Sequence, residues 1–138
     1  MKSRLTPHGP GFSFIDRFER TAVAAGRAWK TLDANAPFFA DHFPNRPLMP
    51  AVLLAECAAQ AAGTLWMSAE GNDPESPLFL ASIDHFRILG PVGPGENIYT
   101  EVRLIKEFGI LAQFEAECLV NHRAVARGRF VLSRQVGG

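Results

Sequence analysis

Two side chains near the middle of the chain have the chemistry of a proton-transfer pair. His42 stands in a stiff loop of aromatic residues and prolines, and Glu56 follows fourteen residues later in an otherwise apolar stretch. An imidazole can remove a proton near neutral pH, and a carboxyl group in apolar surroundings favours its neutral form, which can donate one. A carboxylate is also costly to bury unless it has a partner or a task. The pair therefore predicts acid–base chemistry.

Each of the two residues also has a purely structural interpretation. A single histidine in such a loop most often has a structural role. The carboxylate of Glu56 can be hydrogen-bonded by Gln60, which follows one helical turn later on the same face. On the residues alone, both interpretations of the His42–Glu56 pair stay open.

Glu56 lies on a predicted helix that runs from Pro50 to about Glu70. Proline suits the first helical turn, because its missing N–H would have no intrahelical partner there. The segment is rich in alanine and apolar nearly all round, which is typical of a helix enclosed by other elements. Its apolar run is interrupted by Glu56 and Gln60 and is too short to cross a bilayer.

Strand patterns flank this helix, and the whole chain, 1–138, is expected to form one domain. Residues 12–32 predict a strand with Gly26 as a candidate bulge, and residues 33–49 predict an irregular segment. Further strands are expected at 78–89, 97–107, 110–120 and 124–133. The order of these elements predicts an α+β fold in which an antiparallel sheet curls around one helix. Such a sheet leaves an edge or a face that needs cover, so we expect an oligomer.

The last two strands can be placed in register across a short loop at 121–123. The apolar side then pairs Val120 with Ala124, Cys118 with Ala126, and Phe114 with Phe130. The other side pairs Glu117 with Arg127 and Glu115 with Arg129. Opposite charges across neighbouring strands support this register, and we expect solvated surface pairs there.

Composition disfavours several classes of partner and site. Fourteen Lys and Arg residues balance fourteen Asp and Glu residues, so charge gives no reason to expect nucleic acid or an anionic membrane as partner. Cys57 and Cys118 are expected to be buried thiols of a reducing cytoplasm, with a disulfide or a metal pair as the alternative. We see no signal peptide and no metal-ligand spacing, so we expect a cytoplasmic protein that needs no metal.

The order of these residues resembles the active-site motif of the bacterial 3-hydroxyacyl-[acyl-carrier-protein] dehydratases, the FabZ/FabA-type enzymes of type II fatty acid synthesis. The motif runs from Phe39 to Leu53, through His42-Phe43-Pro44 and Met49-Pro50, and continues with Glu56, Ala59, Gln60 and Gly63. Residues 5–17 and 80–96 also resemble segments of that family. The resemblance therefore covers nearly the whole chain.

The resemblance implies a hotdog fold, in which a long central helix is wrapped by a curved antiparallel sheet. It implies that His42 takes the α-proton of a 3-hydroxyacyl thioester and that Glu56 protonates the departing hydroxyl, giving the trans-2-enoyl product. The backbone N–H of Ala51 would bind the thioester carbonyl, and Gln60 is a candidate for orienting the carboxyl group. No cofactor is implied. The implied partners are acyl carrier protein and a second copy of the chain, with opposite subunits supplying the two catalytic residues and a trimer of dimers as a larger assembly.

Three glycines that are common in the family motif are replaced here, by Asp41, Asn45 and Ala51. Asp and Asn tolerate left-handed backbone angles better than other non-glycine residues, and Ala51 keeps its N–H. Two interpretations of Asp41 stay open: its carboxylate favours the protonated form of the neighbouring His42 and weakens it as a base, or it points to solvent. These replacements indicate a divergent member, serving fatty acid synthesis or a pathway of the polyketide or aryl-polyene type.

Two other functions stay open at this point. The same fold hosts acyl thioesterases, and the replaced glycines fit a non-catalytic subunit that binds acyl-ACP or pairs with an active one. A dehydratase that also isomerises the double bond is disfavoured, because its sister group usually has aspartate where this chain has Glu56.

Overall fold

The computed structural model describes residues 14–35, 49, 51–69 and 78–134. Within these ranges the elements follow in the order β1 (Arg17–Ala22), β2 (Ala25–Thr31), α1 (Ala51–Met67), β3 (Leu78–Ile88), β4 (Asn97–Phe108), β5 (Leu111–Val120) and β6 (Arg123–Arg134). The strands form one six-stranded antiparallel sheet in the order β1-β2-β4-β5-β6-β3. The helix contacts every one of them. This is the predicted α+β arrangement of a sheet wrapped around one helix.

The core forms between α1 and the inner face of the sheet. Every second residue of β5, from Ala112 to Val120, is buried, which is the alternation expected of a strand with one covered face. Phe114 at the centre of this strand stacks on Phe130 of β6 at a ring distance of 6.0 Å and meets the edge of Trp66 at 5.9 Å. The helix presents small buried alanines to the sheet, and these let the strands approach its backbone closely: Ala58, Ala61 and Ala62.

Arg20 attaches β1, which forms a hairpin with β2 at one edge of the sheet, to the end of the helix. Its guanidinium donates hydrogen bonds to the carbonyl oxygen of Leu65 at 2.7 Å and to the hydroxyl of Ser68 at 2.8 Å. The last carbonyl groups of a helix have no intrahelical partner and carry the negative end of the helix dipole. Arg20 supplies the cation that the last turn of α1 itself lacks.

Residues 12–32, expected as one strand, contain a hairpin in their described part. β1 and β2 pair with each other, and the chain reverses between Ala22 and Ala25. The prediction was wrong because the reversal at Val23 and Ala24 contains none of the Gly, Pro, Asn or Asp residues that mark most turns. The irregularity in pairing falls between Arg20 and Ala22, and not at Gly26.

Most of the other predicted boundaries agree with the structure to within a few residues. The helix ends at Met67, three residues before the predicted end. The β5–β6 register is confirmed for the pairs of Cys118, Phe114, Glu117 and Glu115. The pair of Val120 with Ala124 is wrong, and the structure pairs these residues as follows: Val120 with Arg123, and Leu119 with Ala124. Positive φ angles at Asn121 and His122 explain this, because they make a tight two-residue turn.

Strand β3 contains a bulge that lies directly against Gly128 of β6. The pairing shifts between Asp84 and Arg87, and His85 in the bulge has a positive φ of 54°. A Cβ atom at position 128 would lie 2.6 Å from the carbonyl oxygen of His85 and closer still to the Cα of Phe86. Both are backbone atoms, so no side-chain rotation can make room.

We predict that Gly128→Ala lowers the free energy of unfolding by about 2–4 kcal/mol, because the added methyl group forces β3 and β6 apart. Gly26→Ala is the matched control. A Cβ there would lie 2.5 Å from the end of the Phe18 ring, which can turn away, and 3.2 Å from the carbonyl oxygen of Glu19, which has to move by only a few tenths of an ångström, so we expect a smaller loss. Urea denaturation of both variants measures the difference. Equal stability of the two variants would contradict this account of the bulge.

Candidate active site

The predicted carboxylate lies on the sixth residue of α1 and is half-buried. Gln60, one turn later, is 4 % exposed. The Gln60 side-chain Nε2 donates a hydrogen bond to Oε1 of Glu56 at 3.3 Å. This is the contact that the spacing of the two residues predicts, and it gives the carboxyl group a fixed partner on its own helix.

The orientation of the Gln60 amide is set from outside the helix. The backbone N–H of Phe14 donates to Oε1 of Gln60 at 2.7 Å in a buried setting. Because a backbone N–H can only donate, the amide oxygen must face Phe14, and the NH2 group is left to face Glu56. The site therefore presents a hydrogen-bond donor, and not an acceptor, to the Glu56 carboxyl group.

The start of the helix is held by the turn between β3 and β4. The backbone N–H of Met49 donates to the carbonyl oxygen of the fully buried Val92 at 2.7 Å. The turn itself is closed by Glu96, whose carboxylate accepts the N–H of Gly93 at 2.7 Å. Ala51 begins the helix, and the first turn contains no acidic residue. The first N–H groups of a helix point outward without intrahelical partners and attract negative charge, so this end can bind a developing oxyanion.

Of the predicted site residues, Ala51, Glu56 and Gln60 lie on α1. Ala51 stands five residues before Glu56, about 7.5 Å along the helix axis at the usual rise per residue. His42 lies outside the described residues, as do Asp41 and Asn45. Their places in the site remain predictions from the sequence.

Two positioning contacts could not be found from the sequence. They are the hydrogen bonds that Phe14 and Met49 make with their backbone N–H groups, and a backbone group leaves no mark on residue type. The one available signal was Gln60, because a polar side chain in an apolar helix needs hydrogen-bond partners. The sequence identified one of them, Glu56, and missed the other.

The two cysteines are buried thiols of low reactivity. Both are free and buried. Burial raises the pKa of the Cys118 thiol to about 11. Burial also raises the pKa of Cys57 well above its usual value, and the nearby Cys118 and Glu56 raise it further. Neither side chain is the thiolate that nucleophilic catalysis requires.

The outer face of the sheet, opposite α1, is covered by charge pairs. Glu117 lies 3.7 Å from Arg127, and Glu115 lies 3.4 Å from Arg129, as the predicted register requires. The guanidinium of Arg103, hydrogen-bonded to Glu115, lowers the pKa of that carboxyl group. These side chains line an open cavity of about 850 Å³. They are half-buried or exposed, as the prediction of solvated surface pairs requires, and pairs of this kind contribute little stability.

Among the described residues, no group of three or more His, Cys, Asp or Glu is arranged to hold a metal ion. No helix in the same part of the chain is long and apolar enough to span a membrane.

Comparison with known proteins places the chain in a family. The model of the FabA-like domain matches residues 6–129. A 3-hydroxyacyl-[acyl-carrier-protein] dehydratase FabZ from Anaeromyxobacter sp. (strain Fw109-5) is 36% identical over 134 residues, covering 93% of this chain and 84% of the relative. The FabZ of Aeromonas hydrophila is 33% identical over 136 residues, covering 95% of this chain and 89% of its own.

Solved structures show the same fold at lower sequence identity. The dehydratase heterocomplex ApeI:P from Xenorhabdus doucetiae contains a chain with a TM-score of 0.80 and 17% identity, covering 96% of this chain and 90% of that one. A hypothetical thioesterase with coenzyme A from Streptococcus pneumoniae has a TM-score of 0.66 and 8% identity, with 88% of each chain covered. Likenesses at this level of identity show the fold alone. The chain belongs to the FabA-like family, as a divergent FabZ-type member with the hotdog fold.

Proposed function

We propose that the protein is a 3-hydroxyacyl-[acyl-carrier-protein] dehydratase, which removes water from a 3-hydroxyacyl thioester to give the trans-2-enoyl thioester. The observation that carries this proposal is the carboxyl group of Glu56, held by the Gln60 amide on an otherwise apolar helix. The FabZ relatives, which match over nearly the whole chain, support the substrate class. We also propose that the reaction takes place in the cytoplasm.

The proposed reaction needs one base, one acid and one oxyanion donor. His42 takes the α-proton, and the electron pair of that C–H bond passes to the thioester carbonyl as an enolate. The backbone N–H of Ala51 stabilises the enolate oxygen, with help from the dipole of α1. The enolate then re-forms the carbonyl and expels the β-hydroxyl, which leaves as water after Glu56 supplies a proton. Transfer of the proton from His42 to Glu56 restores the starting state.

Gln60 orients the acid in this scheme. Its NH2 group donates to one oxygen of Glu56, which limits the rotations of the carboxyl group. A proton donor must meet the leaving hydroxyl at hydrogen-bond distance, so restricting its rotation increases the fraction of productive encounters.

A second copy of the chain is the proposed partner at the β3 edge. β3 is an edge strand of eleven residues, and large apolar side chains on it are exposed, Phe79 by 54%, Leu80 by 44% and Ile83 by 51%. An unpaired apolar edge strand is a template for pairing with another chain. Pairing of two β3 strands would give a homodimer with two sites, each of which takes His42 from one subunit and Glu56 from the other, and three dimers could assemble further. Acyl carrier protein would deliver the substrate.

We predict that Glu56→Gln lowers kcat by about 100-fold or more in either direction, because the amide can neither give a proton to the leaving hydroxyl nor take one from the attacking water. The assay follows the loss of enone absorbance as water adds to trans-2-enoyl-ACP of several chain lengths. Glu19→Gln is the control, since Glu19 is an exposed carboxylate on β1 that pairs with Arg27. The proposal is wrong if wild type turns over no substrate faster than Glu56→Gln. Release of free thiol in place of hydration would identify a thioesterase.

We predict that Ile83→Lys on β3 shifts the protein from dimer to monomer and abolishes turnover, because each subunit would then bring a charged lysine into the pair of edge strands. Ile105→Lys on β4 is the control, as this isoleucine is also exposed, by 38%. Sedimentation velocity measures the oligomeric state. A monomeric wild type, or an Ile83→Lys variant that remains a fully active dimer, would contradict the proposed interface.

A further inference from the structure

We propose that Asp16, just before β1, is a positioning residue for Glu56 and acts through the backbone of Phe14 and the amide of Gln60. The inference rests on the proposed function, because it assigns Asp16 a part in orienting the proton donor. Asp16 is distant from α1 in sequence and is connected to it by the backbone of residues 14–16 and by the hydrogen bond from Phe14 to Gln60.

Asp16 is fastened to three consecutive residues of β2. Its backbone N–H donates to the carbonyl oxygen of Trp29 at 2.7 Å. Its carboxylate accepts the backbone N–H of Thr31 at 2.8 Å and lies 3.3 Å from the ammonium of Lys30. These contacts fix the point at which the chain enters the sheet.

The two residues before Asp16 run into the core. Phe14 and Ile15 are 4% and 6% exposed. The backbone N–H of Phe14 meets Gln60 only about two residues, or about 7 Å of extended chain, from the anchor at Asp16. A displacement of Asp16 therefore moves the N–H of Phe14 by nearly the same distance, because the segment between them is so short.

The N–H of Phe14 determines which end of the Gln60 amide faces Glu56. While this N–H holds the amide oxygen at 2.7 Å, the NH2 group is directed at the carboxylate. If the N–H is displaced, the amide loses that constraint and can turn by half a rotation. The Gln60 side chain then has more rotational freedom, and the carboxyl group of Glu56 spends less of its time in the productive position.

The ion pair of the Asp16 carboxylate contributes little to the stability of the fold. The side chain is 49% exposed where it pairs with Lys30, and exposed ion pairs contribute little to stability. A closely matched pair exists on the same hairpin. Glu19 is 48% exposed and lies 2.7 Å from Arg27, but it is not next to the segment that meets Gln60. Comparing the two carboxylates separates positioning of the site from support of the hairpin.

The first experiment compares Asp16→Ala, Asp16→Asn and Glu19→Ala in the hydration assay. Asp16→Ala should lower kcat by about tenfold with KM changed by less than about twofold, as expected for a misplaced catalytic group. Asp16→Asn keeps an oxygen for the N–H of Thr31 and should recover most of the loss. Glu19→Ala should leave kcat within about twofold of wild type. Equal kcat values for Asp16→Ala and Glu19→Ala would overturn the proposal.

The second experiment asks whether Asp16 acts through Gln60. Gln60→Leu removes the amide, so adding Asp16→Ala to it should cause no further loss of kcat if both residues act on Glu56 by one route. Losses that multiply in the double variant would show that Asp16 acts independently of Gln60, and the proposal would fail.

A third readout does not depend on turnover. Amide hydrogen exchange at Phe14, followed by NMR, should be at least about tenfold faster in Asp16→Ala than in Glu19→Ala, because the anchor that protects the buried N–H is lost. Unchanged protection would overturn the inference even in an active enzyme. If wild type has no dehydratase activity, the proposed function fails, and the exchange rates still decide whether Asp16 holds Phe14 against Gln60.

Discussion

The site depends on one buried amide. Gln60 connects the N–H of Phe14, which comes from the edge of the sheet, with the carboxyl group of Glu56 on the helix. Burying a polar amide among apolar side chains costs free energy unless both its oxygen and its NH2 group are hydrogen-bonded. Because the N–H of Phe14 can only donate, the amide oxygen faces it, and the NH2 group is directed at Glu56.

The hotdog fold supplies the setting that makes this amide effective. Small residues on α1 let the strands close around the helix, and the alternation along β5 keeps polar side chains on the outer face. The start of the helix is held separately, by the hydrogen bond from Met49 to Val92 in the turn between β3 and β4. Glu56 and Ala51, the proposed acid and the proposed oxyanion donor, therefore lie on one helix but are positioned by different parts of the structure around it.

Much of this could be predicted from the sequence, for identifiable reasons. The helix was visible in its apolar composition, and the β5–β6 register was visible because charged residues at 115, 117, 127 and 129 alternate with apolar ones. The β1–β2 hairpin was missed because Val23 and Ala24 carry no turn signal. The Glu56–Gln60 contact followed from helical spacing, whereas the contact with Phe14 did not, since a backbone N–H has no sequence signature. The relation of His42 to Glu56 stays a prediction, because His42 lies outside the described residues.

The central claim is that Glu56 is the proton donor of a dehydratase site that a second subunit completes. Mixing the inactive variants His42→Ala and Glu56→Gln under conditions that allow subunits to exchange tests it most directly. If each site takes His42 from one subunit and Glu56 from the other, a mixed dimer has one intact site, and random pairing should restore about a quarter of the wild-type hydration rate. A mixture of properly folded, exchanging subunits that stays as inactive as its components would contradict the claim.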